Sequence, residues 1–139
     1  MAWVSTDDAL LDVDRIHRWL SEDAYWALGR SRAAVETSLA HSVNLGAYDD
    51  GPSGPVQVGF LRLVTDRATF AWVCDVYVDP AARGAGVGKL LMAQADRLLA
   101  SYGVRRAILA TADAHGLYAA YGYLPLADVD RWMARSFEA

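Results

Sequence analysis

The stretch that most constrains this 139-residue chain is residues 76–91. It passes from Val76, Tyr77 and Val78 through Asp79 and Pro80 to glycines at 84, 86 and 88, then into Leu90 and Leu91. A β-branched run cut by a proline reads as a strand end, and the apolar residues after the glycines have helical spacing, so the stretch is strand, loop and helix start. The first turn of a helix carries N–H groups with no intrahelical partner and a partial positive charge. Glycines placed there leave those donors open, which makes the loop a seat for an anion.

The other elements fall into place around that loop. Trp3, Val4 and Ser5 read as a short first strand, and Val13, Ile16, His17 and Leu20 predict a helix over 12–20. Ser31 is an N-cap for a second helix with Ala34, Val35, Leu39 and Ser42 on one face. Residues 43–48 alternate as a strand, 49–55 read as a turn rich in Asp, Gly and Pro, and 56–65 form a third strand. Residues 69–78 are nearly all apolar, as in a central strand covered on both faces. After the glycines, Val87, Leu90, Leu91, Gln94, Ala95, Leu98 and Leu99 trace a helical stripe that stops at Gly103. A strand over 105–111 follows, parallel to the strand at 69–78 because a helix separates them. A short helix over 114–121 and a closing strand over 132–136 complete one mixed α/β (α+β) unit spanning 1–139.

Composition narrows the function classes. A 54% hydrophobic, 22% charged chain supports one dense core and argues against disorder. The formal net charge of −4 gives no overall positive field to draw the chain to nucleic acid or an anionic membrane, so any phosphate seat must be local. Cys74 is the single cysteine, which excludes an internal disulfide and a zinc-type cluster; no metal is expected. There is no charged-then-apolar leader, and no apolar run reaches the roughly 18 residues of a membrane span. A cytoplasmic protein is the expectation.

Spacing separates the known glycine loops. A Walker A loop needs a glycine where Arg83 stands and a hydroxyl where Leu90 stands. A dinucleotide fingerprint needs its third glycine one position later and an acidic residue about twenty positions on, where Arg105 and Arg106 stand. The form that remains, Arg-x-x-Gly-x-Gly, is met by Arg83, Gly86 and Gly88 between a valine-rich strand and an amphipathic helix. With it, the chain resembles the GNAT superfamily of acyl-CoA-dependent N-acyltransferases. The run from Gly116 through Leu117, Tyr118 and Tyr121 to Gly122 and Tyr123 is similar to that superfamily's second signature, a Leu-Tyr-x-x-x-Gly-aromatic pattern, and the order of elements agrees.

The resemblance implies a central, mostly antiparallel mixed sheet flanked by helices, with its fourth and fifth strands parallel and splayed. It implies an acetyl-CoA donor whose pyrophosphate rests on Arg83, Gly84, Ala85, Gly86, Val87, Gly88 and Lys89, mostly through backbone. The pantetheine arm would lie beside Val76, Tyr77 and Val78, where a backbone N–H can stabilise an oxyanion. Tyr118 stands at the family's usual acid position, and a phenol can protonate a departing thiolate.

The base stays open. Relatives that carry a Glu or His on the fourth strand have it at positions occupied here by Trp72 and Cys74, neither a proton acceptor. Asp75, His115, Asp113, Glu22, Asp23 or a water relay are the alternatives, and strand alternation turns Asp75 away from Cys74. Tyr25, Trp26, Arg30 and Trp72 are candidate walls for a small-molecule amine or amino acid, with Arg30 suited to a carboxylate. A homodimer is common among such proteins. The alternative function is a non-catalytic acyl-CoA-binding sensor or partner module.

Overall fold

The computed structural model describes residues 1–137. Its strands are β1 (Trp3–Ser5), β2 (Val43–Gly51), β3 (Gly54–Thr65), β4 (Phe70–Val78) and β5 (Arg106–Ile108). The helices are α1 (Val13–Glu22), α2 (Arg32–Ala40), α3 (Val87–Tyr102) and α4 (His115–Ala119). The sheet runs β1-β2-β3-β4-β5 in space, antiparallel throughout except for the parallel β4–β5 pair. This is the expected mixed architecture, with α3 on one face and α1 and α2 on the other.

The two faces bury separate apolar clusters. Under α3, Leu45, Leu61, Leu63, Ala71 and Val73 meet Val87, Leu91, Met92, Ala95 and Leu99. Opposite, Phe60 and Tyr77 meet Ile16, Trp19, Leu20, Val35 and Leu39. The helix α3 lies so close to β3 that a β-carbon on Gly59 would sit 2.9 Å from the Val87 side chain. A larger residue there forces the Val87 and Leu91 side chains, or the helix that carries them, to shift.

Four expectations are corrected by the structure. The segment 49–55 is mostly strand: Asp49 pairs with Val56 and Asp50 with Pro55, which leaves Pro52 and Ser53 as the connection. Polar composition marks where the hairpin leaves the core, while its ladder continues into solvent. The strand expected over 105–111 pairs only at Arg106–Ile108, because β4 and β5 part after three residues. The apolar pattern beyond Ile108 reflects burial rather than pairing. The closing strand expected over 132–136 does not form; the tail makes a 3-10 turn at Val129–Arg131, and the Arg106 guanidinium stands 4.7 Å from the centre of the Trp132 ring. A three-residue β5 offers little ladder for another strand. On α2, Val35 and Leu39 are buried while Ala34 faces solvent.

A β-bulge in β4 reverses one more expectation. Arg62 pairs with Cys74 and Phe60 with Tyr77, so one residue of β4 is extra, and Asp75 takes a left-handed φ of 52°. Aspartate tolerates that conformation better than most residues. The bulge shifts the alternation by one. Ala71 and Val73 face α3 before it, Val76 and Val78 do so after it, and Asp75 with Tyr77 turns to the opposite face. Asp75 therefore shares a face with its neighbour Cys74, contrary to simple alternation.

Candidate active site

The glycine loop begins where Asp79 caps a short 3-10 turn, its Oδ1 accepting the Ala81 N–H at 2.9 Å. Trp19 Nε1 donates to the other carboxylate oxygen at 3.3 Å, which ties the loop to α1. The chain then passes through Gly84 and Gly86 at φ of 87° and 82°. Gly86 is the N-cap of α3, and its left-handed geometry would cost an L-residue roughly 1–2 kcal/mol.

The three long helices start differently. Asp12 Oδ1 accepts the Arg15 N–H at 3.1 Å and Ser31 Oγ accepts the Ala34 N–H at 3.1 Å, so α1 and α2 are capped by side chains. No side chain caps α3, whose first intrahelical bond runs from Leu90 N–H to Gly86 O at 3.0 Å. The N–H groups of Val87, Gly88 and Lys89 precede that bond and lack a capping acceptor among the described residues. Lys89 is exposed beside them. Arg83 points elsewhere: its Nε donates to Val78 O at 3.0 Å, its guanidinium stacks on Tyr77, and Asp23 lies 3.5 Å away. Asp23 also accepts the Tyr77 hydroxyl hydrogen bond.

The second motif packs on the first. The Leu117 side chain lies 3.8 Å from where a Gly88 β-carbon would stand, and the Tyr121 hydroxyl donates to Lys89 O at 2.8 Å. These contacts place α4 across the opening between β4 and β5. From Val73 to Val78 the outer edge of β4 pairs with no strand among the described residues, so the backbone of Val76, Tyr77 and Val78 borders that opening.

Tyr118 stands on α4 at the same opening, half-buried, with its ring 6.3 Å from that of Tyr123. Burial raises the pKa of its phenol, and nearby Tyr25 and Asp113 add to the rise, so it keeps its proton at neutral pH. Tyr25 spans the gap from the other side, its hydroxyl accepting the Ala112 N–H at 2.9 Å. His115 is exposed in the first turn of α4. Both His115 and Tyr118 line a groove of about 1090 Å³ that follows β5 to the tail.

Behind this opening the bulge builds a charged cluster. Asp75 Oδ2 accepts from Arg30 Nη1 at 2.8 Å and from Arg62 Nε at 2.9 Å, while Oδ1 accepts from Trp26 Nε1 at 2.9 Å. Arg62 Nη1 reaches Ser42 Oγ at 3.0 Å. Burial alone would raise the Asp75 pKa, but the Arg30 hydrogen bond, the Arg62 charge and hydrogen bond, and Trp26 hold it below the ordinary carboxylate value. Three donors occupy this carboxylate, which suits holding a wall and not accepting a proton. Burial pushes the Cys74 thiol up to about 11, so it too stays protonated at neutral pH. Trp72, next along β4, is 45% exposed and offers an aromatic surface beside the cluster.

The candidate residues thus gather at one place, with Tyr25, Trp26, Arg30, Asp75 and Tyr118 around the unpaired edge of β4 and Trp72 at the last residue that β5 still pairs. Sequence reasoning missed Arg62 and Ser42. The signal for Arg62 was available, since a single cation interrupts Phe60, Leu61, Leu63 and Val64 and a charge in such a strand needs a partner. Among the described residues, no helix is long and apolar enough to cross a membrane, and no cluster of three His, Cys, Asp or Glu side chains could hold a metal ion.

Comparison with known proteins agrees with this arrangement. The family model described as the Acetyltransferase (GNAT) family matches residues 13–123. A protein of Gibberella zeae named as a candidate acetyltransferase is 35% identical over 131 residues, covering 83% of this chain and 74% of its own. A crystal structure of a Xanthomonas campestris protein, described as a candidate acetyltransferase of the GNAT family, superposes with a TM-score of 0.91 at 43% identity. That match covers 99% of this chain and 94% of the other. An aminoglycoside 6'-N-acetyltransferase solved with coenzyme A shares the fold at a TM-score of 0.64 and 20% identity, covering 78% of this chain and 61% of that one.

Proposed function

Because this chain belongs to the acetyltransferase (GNAT) family, we propose that it moves the acetyl group of acetyl-CoA to the nitrogen of a primary amine, carried by a small molecule or an amino acid. One observation carries the reading. The uncapped, glycine-lined start of α3 adjoins the unpaired edge of β4, and a protonated phenol, Tyr118, lies across the gap. The cradle fits a phosphate ester because Gly84 and Gly86 have open space where a β-carbon would stand.

Val87, Gly88 and Lys89 would hold the pyrophosphate through their N–H groups, with the Lys89 ammonium adding the local charge that an acidic protein otherwise lacks. Bound acetyl-CoA supplies an activated acyl group as a thioester. The free edge of β4 around the bulge presents backbone donors to its carbonyl oxygen, an effect worth about 3 kcal/mol per donor elsewhere. Tyr118 gives its proton to the departing sulfur. Asp75 positions Arg30 and Trp26 at the acceptor wall, and the amine loses its proton to water, Asp113 or His115 at the exposed side of the opening.

Calorimetric titration with coenzyme A, followed by thiol release from acetyl-CoA across a panel of primary amines, tests the reading. Binding with turnover of at least one amine is expected. Tight binding with no thiol release for any amine would favour a non-catalytic acyl-CoA module, and absence of binding would remove both.

A further inference from the structure

Two guanidinium groups, Arg30 and Arg62, share the single carboxylate of Asp75, so the cluster carries one unmatched positive charge. Arg62 is only 8% exposed, and Arg30 is mostly covered. A charge held out of water is costly unless an anion or hydrogen-bond acceptors compensate it. Ser42 meets one arm of Arg62, and Asp75 meets its Nε. The cluster is incomplete as an ion pair and can take a further anion.

The space in front of it has matching chemistry. Arg62 lines a groove of about 550 Å³ between α2 and β3, together with Ala33, Thr37, His41, Ser42 and Val64. Small side chains from α2 line the groove, whose walls also carry the Thr37 hydroxyl and the His41 imidazole, and the Ser42 hydroxyl bonds the guanidinium. The sheet register joins this groove to the reacting edge. Arg62 stands opposite Cys74 and Val64 opposite Trp72, so the four side chains share one face, with the β4 pair one strand spacing, about 5 Å, nearer the free edge. Trp72 and Val64 are both partly open to solvent and form the next rung of that face, where β4 is still paired with β5, so Cys74 is the residue that stands between Arg62 and the free edge.

We propose that the acceptor is an amine that also carries a carboxylate, which Arg62 grips, with Arg30 adding its charge from the other side of Asp75, while the amino group reaches over Cys74 to the free edge of β4. The proposal rests on the acetyltransferase reading for the reaction, but the carboxylate seat stands or falls by itself. A planar guanidinium fork matches a carboxylate in two-point geometry, and the spacing of one strand suits a short amino acid rather than a long polyamine.

The test compares amino acids and ω-amino acids, each against its own amide, together with linear polyamines. The readouts are thiol release from acetyl-CoA and, separately, the shift in melting temperature of the coenzyme A complex. Acids are expected to exceed their amides by at least tenfold in kcat/KM and to raise the melting temperature where the amides do not. Arg30→Gln, in the turn between α1 and α2, should lower that acid-to-amide ratio at least tenfold, and Arg62→Lys should lower it while retaining a folded protein. Equal use of acids and amides, a preference for polyamines, or a ratio unchanged in Arg30→Gln would overturn the seat and leave the transferase standing. Acid-specific stabilisation with no thiol release would keep the seat and remove the transferase reading. Absence of both would overturn the proposal.

Discussion

The two faces of this sheet are built in opposite ways. On the α3 side, the seat comes from one continuous stretch, in which strand, glycine loop and helix follow within residues 76–91, and the second motif adds Leu117 and Tyr121 to its first turn. On the α1–α2 side, the wall draws Trp26 and Arg30 from a turn, Ser42 from the end of a helix, Arg62 from β3 and Asp75 from a bulge in β4. A seat made of consecutive backbone N–H groups tolerates changes of side chain and can be shared by many proteins that use one donor. A wall made of side chains from distant segments changes with any of them, and so can be specialised for an acceptor.

That contrast can be broken by substitution, and the largest effect is expected on the wall. Asp75→Asn keeps a residue that accepts the left-handed conformation but leaves two mostly buried guanidinium groups without their carboxylate. A loss of about 3–5 kcal/mol in unfolding free energy is expected from denaturant titration, by analogy with other broken buried pairs. A loss under about 1 kcal/mol would show that water already serves these arginines.

Next in size is the acid. Tyr118→Phe should reduce kcat by about 100-fold while coenzyme A affinity, read by calorimetry, stays within a few-fold. Unchanged turnover would take Tyr118 out of that role and move the comparison toward donor positioning alone.

On the seat, Gly86→Ala forces a β-carbon onto a left-handed residue at the N-cap of α3. About 1–2 kcal/mol of stability should be lost, with coenzyme A binding weakened about tenfold as the N–H groups shift. A substitution that left both untouched would mean that the loop is not held by that backbone angle. At Gly88, in ordinary helical conformation and with neighbours at contact distance, Ala should cost less stability than at Gly86, so any loss there reports ligand approach.

The smallest effect is the acid dependence of stability. The Asp75 pKa lies below its unfolded value near 4, so in that range the unfolded chain binds more protons and stability falls as pH falls. Its contribution is fully present above about pH 4 and is lost as pH drops through the lower folded value. Melting temperatures of the wild type should therefore decline more steeply below pH 4 than those of Asp75→Asn. Parallel curves would assign acid unfolding to other carboxylates.

Much of the molecule was legible in the chain. The elements from β1 to α4 follow the apolar periodicities, Ser31 caps α2 as its residue type suggests, and the glycine spacing led to the family that the comparisons bear out. The errors cluster at the edge of the sheet, where a strand exists only if another lies beside it. Leu109 is apolar like its neighbours in β5 but has left the ladder, and Trp132 meets the Arg106 guanidinium instead of pairing. The orientation of Asp75 was misread for a related reason. A bulge inserts one residue against a partner strand, and nothing in Val73, Cys74, Asp75 and Val76 alone records that partner's register.

What the sequence determined by itself is therefore local: the alternations and stripes that set the elements, and a loop whose glycines expose the first donors of α3. Only the tertiary structure decided that Asp75 would face Arg30 and Arg62, that β4 would keep an unpaired edge, and that Tyr25 and Tyr118 would approach that edge from separate segments. The physical reason is range. Backbone conformation and helix-end chemistry depend on residues a few positions apart, whereas strand register, burial and ion pairing depend on groups that only folding brings together.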